Sequence, residues 1–316
     1  MAVTRPRVSF GIKTSQANTT YAEIQRIWRE ADQVAVFEHA WLWDHLVPLR
    51  GDVTGPALEA WTLLAALAAQ TTRLRLGIIV TNNRIRQPAV LAKMAATVDI
   101  IAGGRLEFGI GAGGSAVADP AGLALVHREL DAYGIEVVAP GEAVGALGEA
   151  CTIIKRLWTE DTPFDFEGRY YQLKGAICEP KPVQRPGPPI TIGAGGERLA
   201  LRVVAEQADI WNCPTRGDIA EFRRKSAVLD DHCAAIGRDP GEITRSVQIL
   251  VATTAAGGAS PNADVLPRFF DPAATQDLIH GLIEAGARHF VLAPVGFLSP
   301  QALADDVVEP VLAALR

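Results

Sequence analysis

The 316-residue chain is poor in cysteine, with four: Cys151, Cys178, Cys213 and Cys233. None forms a C-x-x-C pair, and no Cys/His cluster has zinc-finger spacing, so neither a disulfide framework nor a metal site is expected. Four reduced thiols fit a cytoplasmic protein. Long apolar runs are also missing. No stretch reaches the roughly 18–20 uncharged residues a membrane span needs. The opening MAVTRPRVSF enters a strand-like segment with no apolar signal core. There is no long basic run, and the formal charge of 30 − 36 = −6 is spread along the chain. That balance argues against nucleic acid or a membrane surface as the main partner.

What is present is an ordinary globular mix, about half apolar and a fifth charged, with enough apolar material for a sizeable core. The length fits one large barrel or two medium domains. The pattern repeats one phrase, a short apolar run followed by a longer amphipathic one. VSFGIK (8–13) precedes a helical stretch over 21–34, and AWLWDH (40–45) precedes one over 57–70. LRLGIIV (74–80) precedes a helix over 88–102, where Pro88 suits a first turn. RLEFGIG (105–111) leads into a long irregular stretch, then a helix over 141–158. FDFEGRYYQL (164–173) predicts a β-hairpin turning at Glu167-Gly168. The Pro-rich 179–189 cannot be helix interior, and the alternation resumes at once, so it is read as a rigid loop. ITIGA (190–194), DIWNC (209–213), RSVQILVATT (245–254) and HFVLAPV (289–295) each precede a further helix.

Eight strand–helix units imply parallel strands, because each helix must return the chain before the next strand starts. The expected fold is an α/β (β/α)8 TIM barrel with an inserted β-hairpin and extended loops, one domain over 1–316. An open doubly wound sheet is the rival. It is disfavoured because no break in composition divides the chain.

In such barrels the chemistry lies at the carboxyl ends of the strands. There stand Asp44-His45 after the second strand, 80–88 after the third, 109–115 after the fourth, 193–198 after the fifth and 212–216 after the sixth. His289, at the start of the eighth strand, is read as structural. Asp44 and His45 are neighbours whose side chains leave in different directions, so one metal is not expected to take both. Asp44 suits a loop-fixing acceptor of backbone N–H groups. His45 suits a proton donor, acceptor or anchor facing a pocket. The alternatives, a helix cap and a half-buried histidine, stay open. Gly193-Ala194-Gly195-Gly196 lead from a strand towards a helix N-terminus, a setting that attracts phosphate, with Gly195 and Gly196 as the contacts. A tight turn needing glycine is the other reading. Gly109, Gly111 and Gly114 match G-x-G-x-x-G, but after the fourth strand and without an immediate helix, so a dinucleotide fingerprint is discounted. Gly111, Ala112 and Gly113 remain as a flat backbone surface for a planar ring, or as a turn.

Taken in order, FGIKT, AWLWDHLVP, RLRLGIIVTNN, RQPAVLAKMAATVDIIAGGRLEFGIGAG, AYG, FEGRYYQL and EPKPVQRPGPPITIGAGGERLALRVVAEQADIWN resemble the bacterial-luciferase-like family. The likeness is strongest to its branch using the deazaflavin coenzyme F420. It covers most of residues 8–213, and the last third matches in pattern only. The resemblance implies a flavin-type cofactor at the barrel mouth, with Asp44 and His45 by the ring and Thr81 and Asn82 lining it. It also implies a non-proline cis peptide at Ile79-Val80 whose bulge presses on one ring face, and Gly195-Gly196 on the cofactor phosphate. The expected activity is hydride transfer between F420 and a small organic substrate. The alternatives are an FMN-dependent monooxygenase served by a separate reductase, and a cofactor-free binding protein. Arg84, Arg86, Arg198 and Arg216 are candidates for a basic track along the acidic tail of F420, or are solvated surface charges. Two departures stand out. Gly114 occupies the position of a Glu that a sugar-phosphate-oxidising branch carries. The segment 114–131 is longer than in nearer relatives and lacks their Trp, so the substrate pocket is expected to be remodelled there, with His127 or Glu129 reaching in. The family also suggests a homodimer through early helices such as WTLLAALAAQ (61–70), a run that equally suits a core helix.

Overall fold

Helix starts follow from local chemistry. In the computed structural model, which describes residues 7–49, 51–113, 120–215, 217–251, 271–294 and 299–316, strand β1 (Ser9–Lys13) leads to α1 (Tyr21–Gln33). Thr20 caps α1 by accepting from the Glu23 amide. Ile24, Ile27, Trp28 and Ala31 recur at helical spacing and are buried. Next come β2 (Phe37–Leu42), α2 (Ala60–Ala68), β3 (Arg75–Ile78) and a two-residue strand, β4 (Thr81–Asn82). Helix α3 (Pro88–Ile101) opens on Pro88 with Gln87 accepting from the Ala89 and Val90 amides. Strand β5 (Leu106–Gly111), α4 (Pro120–Ala132) and α5 (Pro140–Thr159) follow. The hairpin β6 (Phe164–Glu167) and β7 (Gln172–Ala176) comes before β8 (Ile190–Gly193), α6 (Ala200–Gln207), β9 (Ile210–Cys213) and α7 (Ile219–Ala235). The chain ends with β10 (Thr244–Val251), α8 (Pro272–Glu284), β11 (His289–Pro294), α9 (Pro300–Leu303) and α10 (Glu309–Ala314).

The strands run in the order β3-β2-β1-β11-β10-β9-β8-β5, all pairings parallel, and β5 pairs back onto β3 through Leu76 and Leu106. The sheet therefore closes into an eight-stranded barrel with helices outside. Successive residues of each strand serve two cores. Phe10, Leu42, Phe108 and Phe290 face the helices in the main core. Trp41, Ile79 and Val291 form a separate small cluster, packed by Val80. Glycine makes room for the large inward groups. A Cβ on Gly11 would lie 1.9 Å from His39 Nδ1, and one on Gly77 would lie 2.6 Å from the Trp41 ring.

Three local expectations are corrected. Part of the stretch expected to be irregular is a helix, α4. Its Leu123, Val126 and Leu130 recur at helical spacing, a signal the glycines before Pro120 obscured. The hairpin does not turn at Glu167-Gly168 alone. Its connection spans 168–171, because Glu149 accepts from the Arg169, Tyr170 and Tyr171 amides and holds those residues out of the ladder. Finally, α2 begins at Ala60, where Glu59 caps it by accepting from the Trp61 and Thr62 amides. Between α9 and α10 lies a π turn, Ala304–Val308. Pro310 has no N–H for the carbonyl of Asp306, and the Gln276 side chain donates to that oxygen instead at 2.7 Å.

Candidate active site

The carboxyl ends of the parallel strands share one rim. A cavity of about 290 Å³ opens there. Trp43, Asp44 and His45 line it from the loop after β2, and Ile79, Val80, Thr81 and Asn82 from the β3–β4 junction. Gly111, Ala112 and Gly113 line it at the end of β5, Gly193 at the end of β8, Lys13 at the end of β1, and Val126 and Glu129 from α4. A larger groove, about 740 Å³, lies at the amino-terminal rim. Its cations are already engaged: Arg7 with Glu38, Arg245 with Asp230, and Arg288 with the carbonyls of Ile283 and Ala287. The carboxyl rim is therefore the candidate site.

Asp44 does not face the cavity as a free acid. Its buried carboxylate accepts from Arg86 Nη1 at 2.6 Å and Nη2 at 3.0 Å, and from the Asn82 amide at 2.9 Å. Arg86 also reaches Glu59, the cap of α2. Burial pushes the Asp44 carboxyl above its ordinary value, against the pull of Arg86. The expected acceptor role for backbone N–H is present, but the Arg86 fork dominates it. Arg86 is thus neither a solvated charge nor part of a basic track. Burial works against its charge too, and Asp44 and Glu59 outweigh it and raise its pKa.

His45 stands beside it with its Nδ1 2.8 Å from Glu129 Oε2 and its ring 4.7 Å from that of Trp43, edge to face. Trp43 Nε1 is buried and has no acceptor among the described residues. An indole N–H in that state is costly unless a ligand accepts from it. The Ile79-Val80 peptide is cis. The Val80 side chain sits over two glycines: a Cβ on Gly111 would lie 2.7 Å from Val80 Cγ2, and one on Gly193 would lie 3.0 Å away. Gly113 has φ +92°, which only glycine adopts freely. Thr81 accepts from Trp61 Nε1 at 3.2 Å and Asn82 accepts from the Arg84 amide at 2.8 Å, so both are already oriented by the protein.

Ala194 is buried off the cavity, where its carbonyl accepts from Trp211 Nε1 at 2.9 Å. Gly195 and Gly196 lie just beyond, on the same rim. The helix does not start directly after them as expected: residues 197–199 form a turn and α6 begins at Ala200, with the Leu201 amide donating to the Gly196 carbonyl at 3.0 Å. Lys225 Nζ approaches Gly195, within 3.3 Å of where a Cβ would stand, and pairs with Glu221 at 2.7 Å. Of the two residues expected to reach in from the remodelled segment, Glu129 does and His127 does not. His127 is exposed, 3.5 Å from Asp131. Gly114 and Arg216 fall outside the described residues, and Arg198 is exposed. Sequence reasoning missed Trp43, Lys13 and Val126. Trp43 was readable in principle, since it directly precedes Asp44-His45 at the end of an apolar strand.

At the barrel's other end, His289 stacks on His39 at 3.9 Å and its Nδ1 lies 2.8 Å from Ser246 Oγ. Glu107 approaches His289 Nε2 at 3.5 Å and accepts from Arg75 Nε at 2.5 Å. Burial would raise the Glu107 carboxyl, but His289, with Arg75, holds it down at about 2. Among the described residues no group of three His, Cys, Asp or Glu is placed to hold a metal. All four cysteines are buried and unpaired, and no described helix is long and apolar enough to cross a membrane.

A closed parallel barrel with a cavity on its carboxyl rim, lined by a histidine, glycines and an indole whose N–H has no acceptor among the described residues, is an arrangement suited to holding a small molecule at the strand ends. Residues 3–257 match the family described as luciferase-like monooxygenase, and the chain belongs to that family. It is 32% identical over 218 residues to the F420-dependent glucose-6-phosphate dehydrogenase of Kineococcus radiotolerans, covering 68% of this chain and 59% of that one. It is 30% identical over 241 residues to the phthiodiolone/phenolphthiodiolone dimycocerosates ketoreductase of Mycobacterium tuberculosis (strain H37Rv), covering 75% and 58%. The matches span about half to three-fifths of the length of these curated relatives. Among solved structures, an F420-dependent secondary alcohol dehydrogenase in complex with an F420-acetone adduct superposes with TM-score 0.81 at 18% identity, covering 98% and 100%. The F420-dependent tetrahydromethanopterin reductase of Methanopyrus kandleri gives 0.74 at 19% identity, covering 97% and 100%. These two establish likeness of fold.

Proposed function

We propose that this protein is an oxidoreductase transferring a hydride between coenzyme F420 and a small organic substrate. The observation that carries the reading is the convergence on one cavity of the Val80 side chain, His45 and Trp43, whose indole N–H has no acceptor among the described residues. When bound, the deazaflavin supplies the carbon that accepts or donates the hydride. The chain's own residues then do the positioning. Val80 presents an apolar surface to one ring face. Gly111 and Gly193 allow that side chain to sit at the strand ends. Trp43 would line the ring's seat, edge-on to His45. Gly195 and Gly196 hold the phosphate with backbone N–H groups, and Lys225 adds positive charge beside them. Asp44 and Arg86 fix the loop that carries His45, and His45 handles the proton. The name of one curated relative, the F420-dependent glucose-6-phosphate dehydrogenase, points to the same cofactor. Loss of the sugar-phosphate branch's Glu at Gly114 argues for a substrate other than a sugar phosphate.

Titration of purified protein with F420 and with FMN, followed by fluorescence, tests the reading. F420 is expected to bind in the micromolar range or tighter, by roughly tenfold or more over FMN (about 1.4 kcal/mol), and Gly195→Asp is expected to weaken it. Preference for FMN would instead point to a monooxygenase served by a separate reductase. We further propose a cytoplasmic setting, consistent with four unpaired cysteines. A homodimer is proposed through α3, where Val90, Ile100 and Ile101 are exposed. The apolar residues of α2, the expected surface, lie mostly in the barrel's own core. Size-exclusion chromatography with light scattering decides the mass.

A further inference from the structure

We propose that Glu129 is a positioning residue that fixes His45 as the proton acceptor of this site. The kinetic test rests on the F420 reading above, and the tautomer that Glu129 fixes stands on the protein alone.

Glu129 is 2% exposed, and both of its oxygens are used. Oε2 lies 2.8 Å from His45 Nδ1 and Oε1 accepts from the Leu46 amide at 2.5 Å. A carboxylate can only accept, so the hydrogen between it and the imidazole belongs to Nδ1. The neutral ring then carries a bare lone pair on Nε2, which has no partner among the described residues. Trp43, edge-on to the ring, restricts its rotation. The helix bearing Glu129 is itself tied to the His45 loop: Arg128 donates to the Pro48 carbonyl, and the Tyr133 hydroxyl donates to the Leu46 carbonyl at 3.3 Å. The segment expected to remodel the pocket thus brings a carboxylate to His45.

In the hydride transfer proposed above, His45 Nε2 would take the proton that the substrate releases, and Glu129 would hold the imidazolium so formed through Nδ1.

The first measurement is 15N NMR of histidine-labelled protein without cofactor, with His45→Asn identifying the resonance. The neutral ring is expected as the Nδ1–H tautomer, and the Nε2–H tautomer would overturn the proposal. The second uses Glu129→Gln, whose amide offers one oxygen and one NH2. With the Leu46 amide taking the oxygen, the NH2 donates to Nδ1 and the hydrogen moves to Nε2. The kcat for oxidation of a secondary alcohol with F420 is expected to fall roughly a hundredfold or more, with KM and F420 affinity unchanged. An unchanged kcat would overturn the positioning role, and with a parent that binds F420 but oxidises no alcohol the tautomer measurement decides it. A parent that does not bind F420 would sink the cofactor reading, while the tautomer measurement still decides the role of Glu129.

Discussion

Asp44 shows how little a local pattern says about a residue's partners. An acid beside a histidine at a strand end has several readings, and the one that holds is set by Arg86, 42 positions away. Both side chains are nearly inaccessible, at 1% for Asp44 and 10% for Arg86. Removing one member of such a pair strands the other. Arg86→Met should leave Asp44 with the Asn82 amide alone and cost about 3–5 kcal/mol in urea denaturation. Asp44→Asn should cost less, because the amide still accepts from Asn82 and Arg86 keeps Glu59. Equal losses in the two variants would show that the pair does not hold this loop.

The element that shapes the cavity is the broken third strand. Strand β3 ends at Ile78, the cis Ile79-Val80 peptide follows, and β4 resumes at Thr81. Val80 fills the space that side chains on Gly111 and Gly193 would need. Gly111→Ala should therefore push the bulge, costing about 1–3 kcal/mol and weakening F420 binding. Val80→Ala added to Gly111→Ala should recover part of that stability, and a double-mutant cycle reads the coupling directly. Strict additivity would place the two residues out of contact. This element was legible only through family resemblance, since nothing in the composition of LRLGIIVTNN announces a cis peptide. The alternation of apolar runs, by contrast, made the strands themselves readable, because each is buried on both faces. Helix α4 was hidden by the Gly- and Pro-containing stretch before it, and the α6 start was misplaced because residues 197–199 form a turn first.

On the scale of the whole barrel, the two ends do different work. The carboxyl rim carries the candidate site. The amino-terminal end carries buried ionisable groups that tie the sheet together, and these set the acid response. Burial, then the charge of His289, holds His39 well below its ordinary 6.5, so folding favours its neutral form. Glu107 is depressed from 4.5 to about 2, so folding favours its ionised form. Both folded values lie below the unfolded ones. The linked stability is therefore present at neutral pH and is lost on acidification, first as the pH falls below about 6.5 and further between 4.5 and about 2. Denaturation midpoints measured across pH 7 to 3 should fall accordingly. Glu107→Gln should lower stability by about 3 kcal/mol at neutral pH and flatten the lower part of that slope. A parent equally stable at pH 7 and 4 would contradict the assignment. The eightfold alternation gave this architecture away, while the polar network inside it did not show, because its members lie on five different strands.

The central claim is that one rim of this barrel seats a deazaflavin against Val80 with its phosphate at Gly195-Gly196. A crystal structure of the protein with F420 tests it most directly. The account predicts the ring against Val80, beside His45 and Trp43, and the phosphate on the two glycines. A ring bound at the amino-terminal groove, or a phosphate held away from those glycines, would contradict it.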